Sequence, residues 1–188
     1  MARWALLSAP KGQNKSDVAK DLVARLQARR VRAAGFLQER HYDAAGRKGY
    51  ELVRIATGER LTLARGGVAA RGPSEEAHCF FAFSKEAFER ARRWLVEDAR
   101  QAELLVVDGV SILETRGRGH AKSMAWALAQ PEKIVLLCVG ARQLFYIVEN
   151  FGLDVDPVDA LELPAGTQDQ ERFVESLAAA AVRRVARR

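Results

Sequence analysis

The hydrophobic positions along the chain alternate between short continuous runs and stripes with helical spacing. Apolar runs at 3–8, 33–37, 102–108 and 133–140 predict buried β-strands. After the first run, apolar residues at spacings of three and four over 18–26 predict an amphipathic helix. Buried strands that alternate with amphipathic helices are typical of an α/β fold. We therefore expect a mainly parallel sheet with helices on both faces.

A second pattern interrupts this alternation between about residues 34 and 65. Two strand-like stretches flank DAAGR, and ATGE separates the second from RLTLAR, so the segment predicts an inserted antiparallel meander. The following GGVAARGPSEE, 66–76, has the composition of a loop. CFFAF, 79–83, then predicts a strand, and Ser84 is placed to cap the next helix.

The second half returns to the alternating pattern after a polar, glycine-bearing loop over 109–123. Its further predicted elements are helices at 124–129 and 141–151, a short strand within 159–164, and a final helix from Thr167. The chain has no internal repeat and no linker. We therefore expect one domain over residues 1–188.

Charge alters this picture only slightly. The formal net charge is +6, but arginines are spread along the chain, and the cluster at 183–188 is explained by a solvated helix end. Since no groove-reading motif is present, a nucleic-acid partner is not expected. Cys79 and Cys138 lie in apolar runs and are interpreted as reduced core residues of a cytoplasmic protein. The longest apolar run is too short to cross a membrane.

The loop after the first predicted strand is the first candidate site. It resembles the phosphate-binding pattern G-x-x-x-x-G-K-[ST], in which glycines let backbone N–H groups surround a phosphate. Lys15 and Ser16 match, whereas Ala9 and Asn14 replace both glycines. An ordinary loop before a helix is the alternative. The candidate nucleotide-contacting residues are Pro10, Lys11, Gly12, Gln13, Asn14, Lys15 and Ser16.

Asp108 forms the second candidate site, because it ends the apolar run LLVVD. An aspartate at the carboxyl end of a parallel strand lies where α/β proteins bind ligands and, in P-loop proteins, helps to hold Mg²⁺. Ser16 and Asp108 are therefore the candidate metal-binding residues. The catalytic carboxylate that often follows this aspartate is replaced by Gly109, and the nearest carboxylate downstream is Glu114.

The glycine-bearing loop TRGRGHAK, 115–122, forms the third candidate site. Arg116 and Arg118 could stabilise charge on a transferring phosphoryl group. The alternative is a solvated surface loop.

Five blocks, in this order, resemble the thermophile-type nucleoside-triphosphatase family, also known through the cancer-related nucleoside-triphosphatase. They are APKGQNKSDVAKDLVARL, GFLQER, KGYELVRIATGERLTLAR, AFSKEAFERARRWL and LLVVDGVSILE. The molybdenum-cofactor accessory NTPases are similar in outline. The resemblance implies a P-loop NTPase fold that hydrolyses nucleoside triphosphates to diphosphates with Mg²⁺ and little base selectivity.

The resemblance also implies roles for individual residues. Lys15 would contact the phosphates, Ser16 the magnesium ion, and Asp108 the second magnesium-binding motif. That motif is Asp-Glu-Ile-Gly in the family and Asp-Gly-Val-Ser here, while Glu114 falls where a later glutamate would stand. We therefore predict a protein that binds ATP or GTP with Mg²⁺ and hydrolyses it weakly, with Glu114, Arg116 and Arg118 as catalytic candidates. The alternative is a catalytically inactive relative that acts through a protein partner.

Overall fold

A computed structural model describes residues 2–153 and 156–185, with side chains up to residue 182. The strands are Arg3–Ala9 (β1), Ala33–Tyr42 (β2), Lys48–Arg54 (β3), Arg60–Gly66 (β4), Glu75–His78 (β5), Phe81–Ser84 (β6), Leu104–Val110 (β7), Ile134–Gly140 (β8) and Ala160–Glu162 (β9). The helices are Lys15–Ala28 (α1), Lys85–Asp98 (α2), Ala121–Leu128 (α3), Leu144–Asn150 (α4) and Thr167–Val185 (α5).

The nine strands form one mixed sheet in the order β5-β6-β4-β3-β2-β7-β8-β1-β9. The run from β2 to β9 is parallel, and the run from β5 to β2 is antiparallel. The predicted α/β fold with an antiparallel meander is therefore confirmed. Because β1, β8 and β7 are adjacent and parallel, their carboxyl ends meet at one edge of the sheet, where such folds bind ligands.

Apolar residues on both faces of the parallel strands explain why helices cover both sides. In β7, Leu105 and Val107 pack into one core, whereas Leu104 and Val106 pack into the other. The first core includes α2, α3 and α4, and the second includes α1 and α5. None of the helices in the described residues is both long and apolar enough to cross a bilayer.

Two predictions in the antiparallel region were wrong. The expected loop over 66–76 ends in β5, an edge strand whose Glu75 pairs with Arg65, so charged side chains hide its strand pattern. Cys79 is exposed at the turn between β5 and β6, where its φ is 51°, and it is not a core residue. Cys138 is buried in β8 as predicted. The arginine side chains at 183–188 lie outside the described residues.

Candidate functional site

The loop between β1 and α1 lies on the surface at the carboxyl edge of the sheet. Pro10, Lys11, Gly12, Gln13 and Asn14 are all exposed. The backbone closes locally, since Gln13 N donates to Pro10 O at 3.3 Å and Lys15 N donates to Gln13 O at 3.0 Å. Gly12 has a φ of 97°, so it supplies the left-handed position that this loop requires.

Lys15, in the first turn of α1, reaches across the top of the sheet. Its Nζ donates to Asp108 Oδ1 and to the Cys138 carbonyl oxygen, each at 3.0 Å. Burial lowers the pKa of Lys15, but the charge and hydrogen bond of Asp108, together with the charges of Cys138 and Glu114, outweigh this effect, so the pKa is raised overall. The structure therefore brings together Lys15 and Asp108, two predicted site residues that lie far apart in sequence. Ser16 follows Lys15 and is half-buried.

Asp108 is fully buried at the end of β7, and three donors satisfy its carboxylate. Besides Lys15, the backbone N–H of Gly109 donates to Oδ1 at 2.7 Å, and that of Gln38 donates to Oδ2 at 2.9 Å. The register of β7 against β8 shifts between Val107 and Val110, so Asp108 and Gly109 occupy an irregular position. From this position the carboxylate contacts Lys15 of α1 and Gln38 of β2.

Gly109 has a backbone that a glutamate would not readily adopt. Its φ is 88°, and an added Cβ would lie 2.1 Å from Gln38 Oε1. The local backbone therefore suits the glycine that stands here in place of the glutamate of the family motif.

Glu114 lies in a 3-10 turn after β7 and is only 2% exposed. Its Oε2 accepts from Ser111 N at 2.7 Å, and its Oε1 accepts from His120 N at 2.6 Å. Burial raises the pKa of Glu114 to about 7, although both hydrogen bonds and the charge of Lys15 oppose the shift. A carboxyl group with a pKa near neutrality suits a general base. Through its two hydrogen bonds, Glu114 also holds its own loop together, and this structural role alone explains its burial.

His120 is 1% exposed, although it belongs to the glycine-bearing loop over 115–122. Its ring stacks on Phe36 with centroids 4.4 Å apart and meets Phe88 edge-on at 4.7 Å. Neither ring nitrogen has a hydrogen-bond partner among the described residues. Burial lowers its pKa to about 3, so the ring is neutral near pH 7.

The two arginines of this loop are exposed and point to different surroundings. Arg118 pairs with Glu76 of β5, which ties the loop to the antiparallel edge. Arg116 lies in the 3-10 turn with Glu114, where its backbone N donates to Leu113 O at 3.1 Å. The structure thus couples Arg118 to a carboxylate away from the Lys15–Asp108 pair.

Three contributors to the site escaped the sequence analysis. The backbone N–H of Gln38 and the carbonyl of Cys138 carry no sequence signal, because any residue supplies these groups. His120 did carry a signal, since a histidine directly before a short apolar helix can be buried. Its place between two aromatic rings depends on tertiary packing.

Lys15 and Ser16 begin the helix after β1, and Asp108 lies on β7, two strands away from β1. This arrangement defines a P-loop NTPase-like α/β protein. The profile of the family described as NTPase matches residues 5–161, and the chain belongs to this family. No curated protein sequence matches the chain.

Two solved structures have the same fold. The solution structure of a human cancer-related nucleoside triphosphatase has a TM-score of 0.68 and 19% identity, and the match covers 95% of this chain and 97% of that one. The crystal structure of THEP1 from the hyperthermophile Aquifex aeolicus has a TM-score of 0.68 and 15% identity, with coverage of 95% and 98%. At these identities the likeness establishes the fold.

Proposed function

We propose that the protein binds a nucleoside triphosphate with Mg²⁺ at the loop from Pro10 to Ser16 and hydrolyses it slowly to the diphosphate. The observation that carries this proposal is the ion pair between Lys15 and Asp108 at the carboxyl edge of the sheet. A magnesium nucleotide brings a cation and an anion together. The Lys15 ammonium group can then bind phosphate oxygens in place of the Asp108 carboxylate, and Asp108 can face the metal ion in place of Lys15. Each charged group thus keeps a partner of opposite charge.

The donor chemistry of the site fits magnesium. Among residues 2–153 and 156–185, no group of three or more His, Cys, Asp or Glu side chains is arranged to hold a metal. A magnesium ion here would therefore take phosphate oxygens and water together with the Ser16 hydroxyl and Asp108, as hard oxygen ligands require. When bound, it supplies positive charge that offsets the charge of the phosphates.

In the proposed reaction, a water molecule attacks the γ-phosphorus in line with the bridging oxygen. The new P–O bond forms as the bond to the β-phosphate bridging oxygen breaks, and the diphosphate leaves with the electron pair. Glu114 accepts the proton of the water, and its pKa of about 7 suits that role. Arg116 is exposed and is the candidate to approach the phosphates, whereas Arg118 must first leave Glu76.

Slow turnover follows from the residues that replace the family pattern. Ala9 and Asn14 put side chains where glycines would bring backbone N–H groups closest to a phosphate. Gly109 removes the carboxylate that would adjoin Asp108, leaving only the buried Glu114 to orient water. Each change weakens positioning, on which phosphoryl transfer depends.

The alternative is an inactive member of the family that acts through a protein partner. The observation in its favour is that the three hydrogen bonds to Asp108 and the two from Lys15 Nζ are complete within the protein. For either function we propose the cytoplasm as the compartment, because both cysteines are free thiols.

A thermal-shift series distinguishes the two functions. The wild-type protein is heated with MgATP, MgGTP, or ATP and EDTA. At a ligand concentration one hundred times Kd, binding to the native state adds about 2.7 kcal/mol and raises Tm by roughly 5–10 °C. A rise with the magnesium nucleotides that is reduced by EDTA supports the proposed function. No rise at millimolar nucleotide supports the inactive protein.

A further inference from the structure

The loop from Gly117 to His120 lies directly against Glu114. An added Cβ at Gly119, whose φ is 59°, would lie 2.2 Å from Glu114 Oε1, so this close approach requires a glycine. The next residue donates its backbone N–H to the same oxygen at 2.6 Å. The loop therefore covers the carboxyl group that the proposed reaction uses. A cavity of about 440 Å³ lies beside this contact and is lined in part by Glu114, Gly117 and Ala121.

This loop ends at His120, whose ring lies in a slot between the rings of Phe36 and Phe88. Burial of an imidazole whose two nitrogens lack partners disfavours this closed position, because the nitrogens regain hydrogen bonds when the ring reaches water. A phenyl ring at this position would keep the aromatic contacts without that penalty. The histidine therefore holds the loop over Glu114 less tightly than an apolar ring with the same packing would.

We propose that His120 is a positioning residue: its buried ring is a weak latch that holds the loop from Gly117 to His120 over Glu114. The latch opens when the ring leaves the Phe36–Phe88 slot and its backbone N–H releases Glu114 Oε1. This oxygen is then free to accept the proton of a water molecule that enters from the neighbouring cavity. The role in turnover rests on the proposed nucleotide hydrolysis, whereas the opening itself is a property of the protein without nucleotide.

The variant His120→Phe tests the latch. We expect Tm to rise by about 2–6 °C, because the unsatisfied nitrogens are removed. The backbone amide at position 120 should exchange with solvent more slowly than in wild type. In the hydrolysis assay, kcat should fall about tenfold while KM stays nearly unchanged, because a tighter latch affects the chemical step and not nucleotide binding.

The control is Arg30→Gly, which stabilises the protein far from the latch. Arg30 is exposed and has a φ of 63°, so glycine relieves backbone strain there. This variant should raise Tm without changing kcat or exchange at position 120. If His120→Phe is poorly folded, His120→Leu provides the same test with a smaller apolar side chain.

Three results would overturn the latch. A higher Tm with unchanged kcat and unchanged amide exchange would make His120 an ordinary packing residue. A lower Tm in both apolar variants would mean that the ring nitrogens contribute a stabilising contact. Equal amide exchange at position 120 in wild type and His120→Phe would refute the latch whether or not nucleotide binds, because this measurement needs no nucleotide. Slower exchange in His120→Phe without any nucleotide binding would refute the proposed function alone.

Discussion

Lys15 Nζ lies 3.0 Å from Asp108 Oδ1, joining the first turn of α1 to the end of β7 across the intervening strands. The side chain of Asp108 is fully buried and that of Lys15 is 14% exposed, so the pair is shielded from solvent. Removing one partner of such a pair leaves an uncompensated charge, which is costly. The same contact therefore stabilises the fold and holds the two residues that the proposed function assigns to phosphate and metal.

Asp108→Asn should destabilise the protein by about 3–5 kcal/mol, because Lys15 loses its counter-charge and the new amide presents donors to backbone N–H groups. Urea unfolding measures the change. Glu132→Gln is the control, since Glu132 is exposed and its replacement should change stability by less than about 0.5 kcal/mol. A loss below about 1 kcal/mol in Asp108→Asn would contradict a strong, shielded ion pair.

Gly109→Glu should not restore fast hydrolysis, even though it reproduces the family motif at that position. The backbone φ of 88° should destabilise the protein by about 1–3 kcal/mol, and the Gln38 side chain must also move, because an added Cβ would lie 2.1 Å from its Oε1. Gly46→Ala measures the effect of backbone strain without a steric contact, because Gly46 has a φ of 73° and open space around it. A Gly109→Glu protein as stable as wild type, with faster hydrolysis, would refute this explanation.

Glu114 and His120 should give opposite pH dependences of stability. The pKa of Glu114 is raised from 4.5 to about 7, so the folded protein holds the extra proton and loses stability as pH rises through this range. The pKa of His120 is lowered from 6.5 to about 3, so the unfolded chain holds the extra proton and stability increases as pH rises through that range. In wild type the two slopes oppose each other from pH 4.5 to 6.5.

Single variants should expose each slope. As pH rises from 4.5 to 6.5, the stability of Glu114→Gln should increase and that of His120→Phe should decrease. Across this window each side chain can contribute up to about 3 kcal/mol. Urea unfolding at four pH values in this window measures the slopes. Equal slopes in the two variants would show that these groups do not control the pH dependence.

Much of the fold could be predicted because its signals are local. The apolar run at Leu104–Val107 and the helical stripe from Val18 to Leu26 depend on burial alone, and the structure confirms both elements. The hairpin around ATGE is equally local. In contrast, β5 contains two glutamates, and its pairing with β6 becomes evident only when Arg65 and Arg118 supply partners.

The candidate site was less predictable, because contacts between distant segments define it. The pattern around Lys15 indicated a phosphate loop, but not that its ammonium group contacts Asp108 and the Cys138 carbonyl. Likewise, sequence placed Glu114 near the motif without showing that Ser111 and His120 donate to its carboxyl group. The roles of these residues in binding and turnover stay predictions.

Calorimetric titration of MgATP and MgGTP tests the central proposal most directly, using wild type, Lys15→Ala and, as a control outside the loop, the exposed Lys85→Ala. Circular dichroism and Lys15→Arg, which keeps the charge, separate a binding defect from unfolding. We predict micromolar binding in wild type and Lys85→Ala and its loss in folded Lys15→Ala. Equal affinity in wild type and Lys15→Ala, or no binding to wild type at millimolar nucleotide, would contradict the proposal.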